Sequence, residues 1–337
     1  MNKSNNILSK VKNRGSLLVL TLFILTAIIA VFIDSQSLAS ATDLNNIYKA
    51  PFENSDYPLG TDDLGRSVFY GLINGAKITL FIAIITSVLS LVIGLLFAFV
   101  AAYYGNDKLK LNRLSIIGLG IITFVCLFYF IYSSHKLLFF SAWLLSILGT
   151  FFINRRSSKI KTGIKIPIDT LILKILEILK TLPGIFIVLL FLSLFDNRSI
   201  WNVIFLITFV RTPVIIRLGR SEILKIKSQE YILAAEGMGI GTSRLFLNHI
   251  IPNIISPLRT FLVYGIASTV LIESVLSFLG LGLPIETVSW GSMLSSSRQF
   301  FSAWWLAILP GLAIFILIYS LRHYFTSRAE DQEYFYI

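Results

Sequence analysis

A single cysteine, Cys126, stands in the sequence, and it lies inside an apolar run, so neither a disulfide nor a thiolate metal site is available. Only three histidines occur, His135, His249 and His323, far apart and without the HExxH or related spacing that seats a metal ion. No Gly-x4-Gly-Lys-Ser/Thr segment is present. The nearest approach, Gly71-x3-Gly75-Ala76-Lys77, has the wrong spacing for a phosphate cradle. No paired acids and no Ser, His and Asp grouping point to catalysis. Charge is the largest deficit: 14% of residues are charged, 55% are hydrophobic, and the mean hydropathy is +0.78. A soluble domain carries about a quarter charged residues. Most side chains here must face lipid or one another, so the composition is that of an integral membrane protein.

Apolar stretches fall at about 16–33, 77–104, 114–133, 137–153, 170–195, 200–218, 257–281 and 303–321. Lipid offers no partners for free backbone groups, so each span is expected to be a helix. That gives about eight transmembrane helices. The first run follows Lys3, Lys10, Lys12 and Arg14, and Ala39-Ser40-Ala41 after it resembles a signal-peptidase site. At about 18 residues the run exceeds a signal core and just reaches membrane-spanning length, so it reads as an uncleaved anchor. In 170–195 the first half carries Lys174, Glu177 and Lys180 on one helical arc, which should meet water or a polar interior.

The net charge of +11 has two readings, nucleic acid or a membrane surface. Its distribution decides for the membrane, because no basic soluble domain exists to hold nucleic acid. With the N-terminus inside, the inner segments hold 20 of the Lys and Arg and the outer segments 5. This bias places both termini in the cytosol. Two loops then exceed the length of simple connectors, 34–76 outside and 219–256 inside.

The inner loop is the most informative part of the chain. Ser228 is a good helix N-cap, and Glu230 falls in the first turn, where the helix dipole favours an anion. The helix is expected to run to about Glu236 and to break at Gly237, Gly239 and Gly241. Thr242-Ser243 would cap a second helix, which Pro252 ends or kinks. The small Ala234 and Ala235 on this helix-turn-helix would let another protein approach closely. An ordinary loop packed on the bundle fits the same residues.

Glu230, Ala234-Ala235, Gly239 and Pro252 resemble the EAA signature of ABC-importer permeases. Gly60-Thr61-Asp62-Asp63-Leu64-Gly65-Arg66 with Gly75-Ala76-Lys77-Ile78-Thr79-Leu80 resembles the segment before the second helix of dipeptide and oligopeptide permeases. Glu273 to Gly282, Trp290-Gly291 and Trp304 to Gly311 are similar to the closing third of that subfamily. The likeness covers about 57–104 and 167–321. Departures are Ser67 where the family usually has Asp, Lys77 where it usually has Arg, and a tail, Arg322-His323-Tyr324-Phe325, of different pattern.

The resemblance implies an all-α integral membrane protein, a type I ABC-importer transmembrane domain with six family helices plus two inserted. Its parts would be a cytosolic tail at 1–15, an anchor at 16–33, an extracytoplasmic loop at 34–76 and a span at 77–104. An insertion at 106–166 would carry the two extra helices. The permease core would be 167–321 with the coupling loop 219–256, and a cytosolic tail would follow at 322–337. It further implies that Glu230, Tyr231, Ala234, Ala235, Gly239 and Pro252 engage an ATPase. The partners implied are a second homologous permease subunit, two cytosolic ATPases, an extracytoplasmic solute-binding protein and membrane lipid. ATP and Mg would sit on the ATPases, and this chain would bind no cofactor and catalyse nothing.

Glu273 and Pro183 are candidates for the translocation path or gate, although for Glu273 structural packing between helices near the outer gate is the favoured reading. Arg211, close to the cytosol, is explained by snorkelling. Asp62, Asp63 and Arg66 suit either contact with the binding protein or a salt-bridged helix lying on the membrane surface. An ion-coupled secondary transporter is the alternative, though it would need paired intramembrane carboxylates and often inverted repeats.

Overall fold

The computed structural model describes residues 2–107, 110–111, 164–193, 198–284 and 286–333. Helices dominate: α1 (Asn2–Phe32), α2 (Ser35–Ser40), α3 (Val68–Tyr104), α4 (Ile168–Thr181), α5 (Gly184–Ser193), α6 (Ile200–Lys227), α7 (Glu230–Gly237), α8 (Thr242–Leu245), α9 (Ile251–Phe278), α10 (Trp290–Ser296) and α11 (Trp305–Glu333). A five-residue π-turn, Phe246–Ile250, joins α8 to α9. Among the described residues five segments are long and apolar enough to cross a membrane: Gly15–Phe32, Val68–Tyr104, Ile200–Lys227, Phe246–Phe278 and Trp305–Phe325. The two inserted spans expected at 114–133 and 137–153 lie outside the described residues.

Two compact units divide the chain, Met1–Leu96 with Lys180–Ile337 and, separately, Phe97–Leu179. In the second unit residues 106–107 and 110–111 meet residues 164–170. Lys110–Leu111 pairs antiparallel with Ile164–Lys165, and Lys165 Nζ reaches Asp107 at 2.8 Å. Asn106 Oδ1 accepts from the Thr170 backbone and hydroxyl, both at 3.1 Å, at the start of α4. Lys174, Glu177 and Lys180 are exposed on α4, whose buried residue is Leu176.

Two boundaries and one local structure differ from the sequence reading. The expected span at 77–104 begins nine residues earlier, at Val68, as one helix of 37 residues. Polar Asn74 and Lys77 lower hydropathy there but leave the backbone free to coil. The run 170–195 is not one helix, because the chain breaks at Leu182-Pro183 between α4 and α5. Proline lacks an N–H and drives its predecessor out of the helical region. Asp62, Asp63 and Arg66 do form ion pairs, but no helix carries them. They sit in a turn closed by a bridge between Thr61 and Ser67.

α3 is the shared wall of the first unit, and its periodicity shows why. Ala76, Leu80 and Ala83 recur on one arc and join a core with Val263, Val270, Trp290, Leu306 and Leu317. Ile78 and Ile82 face another core, with Val203, Ile204, Ile207 and Leu276. Spacings of three and four put each set on one helical stripe. α1 packs mainly on α11, and only 11% of its apolar window is buried, against 39–44% for the other four. Its outward leucines and isoleucines therefore suit a lipid face.

Small residues let these helices close. A Cβ at Gly75 would collide with the Trp290 ring, which packs edge-on to Phe23 at 5.7 Å. The Trp290 Nε1 donates to Leu72 O at 3.0 Å, so the indole cannot swing away without losing that bond. Gly75→Ala is expected to destabilise the bundle by about 1–3 kcal/mol, the usual range for overpacking. A lowered midpoint of thermal aggregation in detergent would register this; an unchanged midpoint would contradict the packing.

Candidate functional site

The chain between α6 and α9 builds a small folded projection. α6 ends with Lys225 and Lys227 in its last turn, where cations oppose the negative end of the helix dipole. Ser228 is the C-cap of α6, its N–H bonding Leu224 O at 3.1 Å, and is not the N-cap expected from sequence. The N-cap position of α7 falls on Gln229, whose side chain makes no cap bond. Apolar spacing then sorts the helix: Ile232 and Ala235 are buried, while Glu230, Tyr231, Leu233 and Ala234 are exposed. The two alanines thus part company. Ala235 packs beneath the helix and Ala234 faces outward.

One glycine of the three carries the break. The Gly239 N–H bonds Glu236 O at 3.0 Å and the Ile240 N–H bonds Ala235 O at 3.2 Å, the paired bonds of a left-handed helix stop. Gly239 has φ +79°, whereas Gly237 is still helical and Gly241 accepts the Leu245 N–H at 3.1 Å. The second helix starts at Thr242, so its N-cap position is Gly241 and not Thr242-Ser243. Pro252 neither ends nor breaks the chain's helical course. It occupies the first turn of α9, and the missing N–H is absorbed by the preceding π-turn, where the Ile251 N–H reaches Phe246 O.

Leu245, Phe246, Ile250, Ile254 and Ile232 are all buried, giving the projection an apolar footing. Tyr231 ties the helices together, its hydroxyl accepting from Asn253 Nδ2 at 3.1 Å. The outward face presents Leu233, Met238 and Leu247 as well as Glu230, with Met238 76% exposed at the tip. Sequence reasoning passed over these three. The available signal was a set of large apolar side chains in a polar loop, where burial was the default expectation.

At the other end of the first unit lies a carboxylate cluster. Glu273 is fully enclosed: Oε1 accepts from Ser277 Oγ at 2.8 Å and Ser289 Oγ at 3.0 Å, and Oε2 from Thr79 Oγ1 at 3.2 Å. Ser289 is also the N-cap of α10, accepting the Ser292 N–H. One side chain therefore binds α3, α9 and α10. Pro183 lies at the α4–α5 break and is exposed. The structure does not bring Pro183 and Glu273 into one hydrogen-bonded group.

Above Glu273 a cavity of about 280 Å³ opens among Asp63, Arg66, Arg198, Ser292, Ser295 and Gln299. Its wall is fixed by Asp62, which accepts from the N–H groups of Leu64 (2.9 Å) and Arg66 (2.8 Å) and from Arg66 Nε (2.6 Å). In the same loop, bonds from Asn46, Tyr57 and the Asn45 backbone hold the Asp43 carboxyl below the usual carboxylate range.

Arg211 corrects the sequence reading most sharply. Instead of reaching toward water, its Nη1 donates inside the bundle to Gly265 O at 2.6 Å, Thr269 Oγ1 at 2.7 Å and Ser87 Oγ at 3.1 Å. It joins α6 to α3 and α9. Its partners are 54, 58 and 124 residues away, beyond the reach of local pattern.

Long apolar helices, a folded projection on one side and a polar pocket on the other define a multi-pass membrane transport component. Residues 162–331, half of the chain, match the family described as binding-protein-dependent transport system inner membrane component, and the chain belongs to that family. It is similar to a dipeptide transport system permease protein of Alkalihalophilus pseudofirmus, 27% identical over 90% of this chain and 79% of that protein. An oligopeptide transport system permease protein of Bacillus subtilis is 26% identical over 87% of this chain and 78% of its own length. A dipeptide permease of Haemophilus influenzae is 26% identical, covering 92% and 87%. The secondary-transporter alternative is not favoured, because the family works with binding proteins.

Proposed function

We propose that the chain is one permease half of an ATP-binding-cassette importer that moves peptides inward across the cytoplasmic membrane. The observation that carries this reading is the α7–α8 projection. It is a short rigid helix on an apolar footing, with Leu233, Met238 and Leu247 outward, joined to long spans on both sides. Family membership and the peptide permeases among its relatives support it. A second, homologous permease subunit completes the pore. Two cytosolic ATPases grip the projections, and a solute-binding protein docks outside over the Asp63–Arg66 loop. ATP and Mg belong to the ATPases, whose closure draws the projections together and converts the bundle between two states biased by differential contacts.

Sidedness is the first test. In a Cys126→Ala background, Met238→Cys is expected to react with a membrane-impermeant maleimide in inverted vesicles and to stay unlabelled in intact cells. Labelling from outside would place the projection on the wrong face and end the coupling model. Uptake of a labelled dipeptide into vesicles, dependent on ATP and on the binding protein, tests the cargo.

A further inference from the structure

A guanidinium in the middle of a helix bundle calls for an explanation that helix anchoring alone does not give. Arg211 is within a turn of the middle of α6, Ser87 within a turn of the middle of α3, and Gly265 within a turn of the middle of Phe246–Phe278. Three spans thus meet the cation at the same depth. All three acceptors lie on Nη1; Nε and Nη2 bond to nothing among the described residues. Gly265 makes room for this pose, because a Cβ there would stand 2.7 Å from Nη2. The group is held by one nitrogen and offers the rest of its fork.

The fork is not sealed in. Arg211 is partly exposed, and Val214 and Leu218, one and two turns on along the same side of α6, are exposed, as is Tyr264 beside Gly265 on α9. A guanidinium facing lipid in the middle of a span is costly, so such residues face a polar interior or a water-filled path. Ser87 and Thr269 are neutral, so the positive charge is not cancelled by its anchors. A planar fork with free donors matches a carboxylate better than any other common anion on a peptide.

We infer that Arg211 lines the transport path and receives the terminal carboxylate of the passing peptide, held in place through Nη1 by Gly265, Thr269 and Ser87. The inference rests on the peptide-permease reading and adds a residue that contacts the cargo. The contact must be transient, and the arrangement suits that: the anchors stay bonded when the carboxylate leaves, so no unpaired charge has to be rebuilt.

The test uses the assembled transporter in proteoliposomes, with two peptides identical except for a free or an amidated C-terminus. Each is supplied pre-bound to the binding protein at saturating concentration, so that recognition outside the membrane does not enter the comparison. Wild type is expected to move the free acid about tenfold faster than the amide. Arg211→Gln keeps an amide donor for Gly265 O and should bring the ratio to about one, by slowing the acid far more than the amide. Arg211→Lys keeps the charge but not the fork and should retain only part of the preference for the acid. Equal rates in wild type, a preference that survives undiminished in Arg211→Gln, or an equal fall for both peptides would overturn the assignment. The last result would mean helix anchoring only, or a pairing with a carboxylate of the second permease subunit. A wild-type complex that moves neither peptide would overturn the peptide reading itself.

Discussion

Ala235→Asp is expected to abolish binding-protein-dependent uptake and to release the ATPase on purification, while the chain stays in the membrane at wild-type level. Ala235 is 5% exposed, and its carbonyl anchors the turn by accepting the Ile240 N–H at 3.2 Å. A carboxylate at that position must either lose its hydration under α7 or lift the helix, and Ile232 with it, off the buried apolar footing. Burying an unpaired charge costs several kcal/mol, so the helix lifts. A lifted α7 no longer presents Leu233 and Met238 in one plane, and a loss of 1.4 kcal/mol already weakens association about tenfold. Ala234→Asp, on the exposed face, is the paired control for charge at the interface without unfolding. Gly239 adds a backbone arm. Gly239→Val forces a branched residue to positive φ and should act like Ala235→Asp, whereas Gly239→Asn tolerates that conformation and should retain function. Wild-type uptake and co-purification in both Ala235→Asp and Gly239→Val would remove the projection from the coupling route.

Which parts of this could be read from the chain follows from the range of the interactions. The spans were legible because a membrane helix needs only local apolarity and length; α6, α9 and α11 fall where the runs fall. The stop after Glu236 was legible from three closely spaced glycines, but which of them takes the positive φ, Gly239, was not. The start of α3 was not, since Asn74 and Lys77 depress hydropathy while Asn74 in fact bonds Gln36 and Val288 inside the fold. The break at Pro183 was misjudged because a hydropathy run counts side chains and ignores a missing N–H. Arg211 and Glu273 were visible as ionisable residues in apolar runs, but their meaning depends on Ser87, Thr269, Thr79 and Ser289, hydroxyls that carry no signal until the helices are packed. Polar anchoring in this fold is therefore a tertiary property, whereas helix placement is a local one.

The Glu273 cluster yields the other large effect, and it separates a clamp from a conduit. Glu273→Ala would leave three buried hydroxyls, Thr79, Ser277 and Ser289, without their acceptor. Each unmet buried group costs about 1–3 kcal/mol, reduced where a hydroxyl can turn to a backbone carbonyl, so a net loss of about 2–3 kcal/mol is expected. Ser277 can turn back along its own helix, but Ser289 cannot do so without weakening the cap of α10. The loosened element should be α10, which carries Trp290 and hence the contact with Gly75 and Leu72. Glu273→Gln keeps one carbonyl acceptor and should recover most of the stability. A clamp therefore predicts that Ala lowers the thermal midpoint and the amount of assembled transporter together, and that Gln restores both, with turnover per assembled complex unchanged throughout. A residue in the path predicts the reverse: normal stability in both variants and a fall in turnover per complex. Because the carboxylate is fully enclosed and bonded to three helices, the first pattern is the one expected. Thermal unfolding in detergent and uptake normalised to assembled complex decide between them.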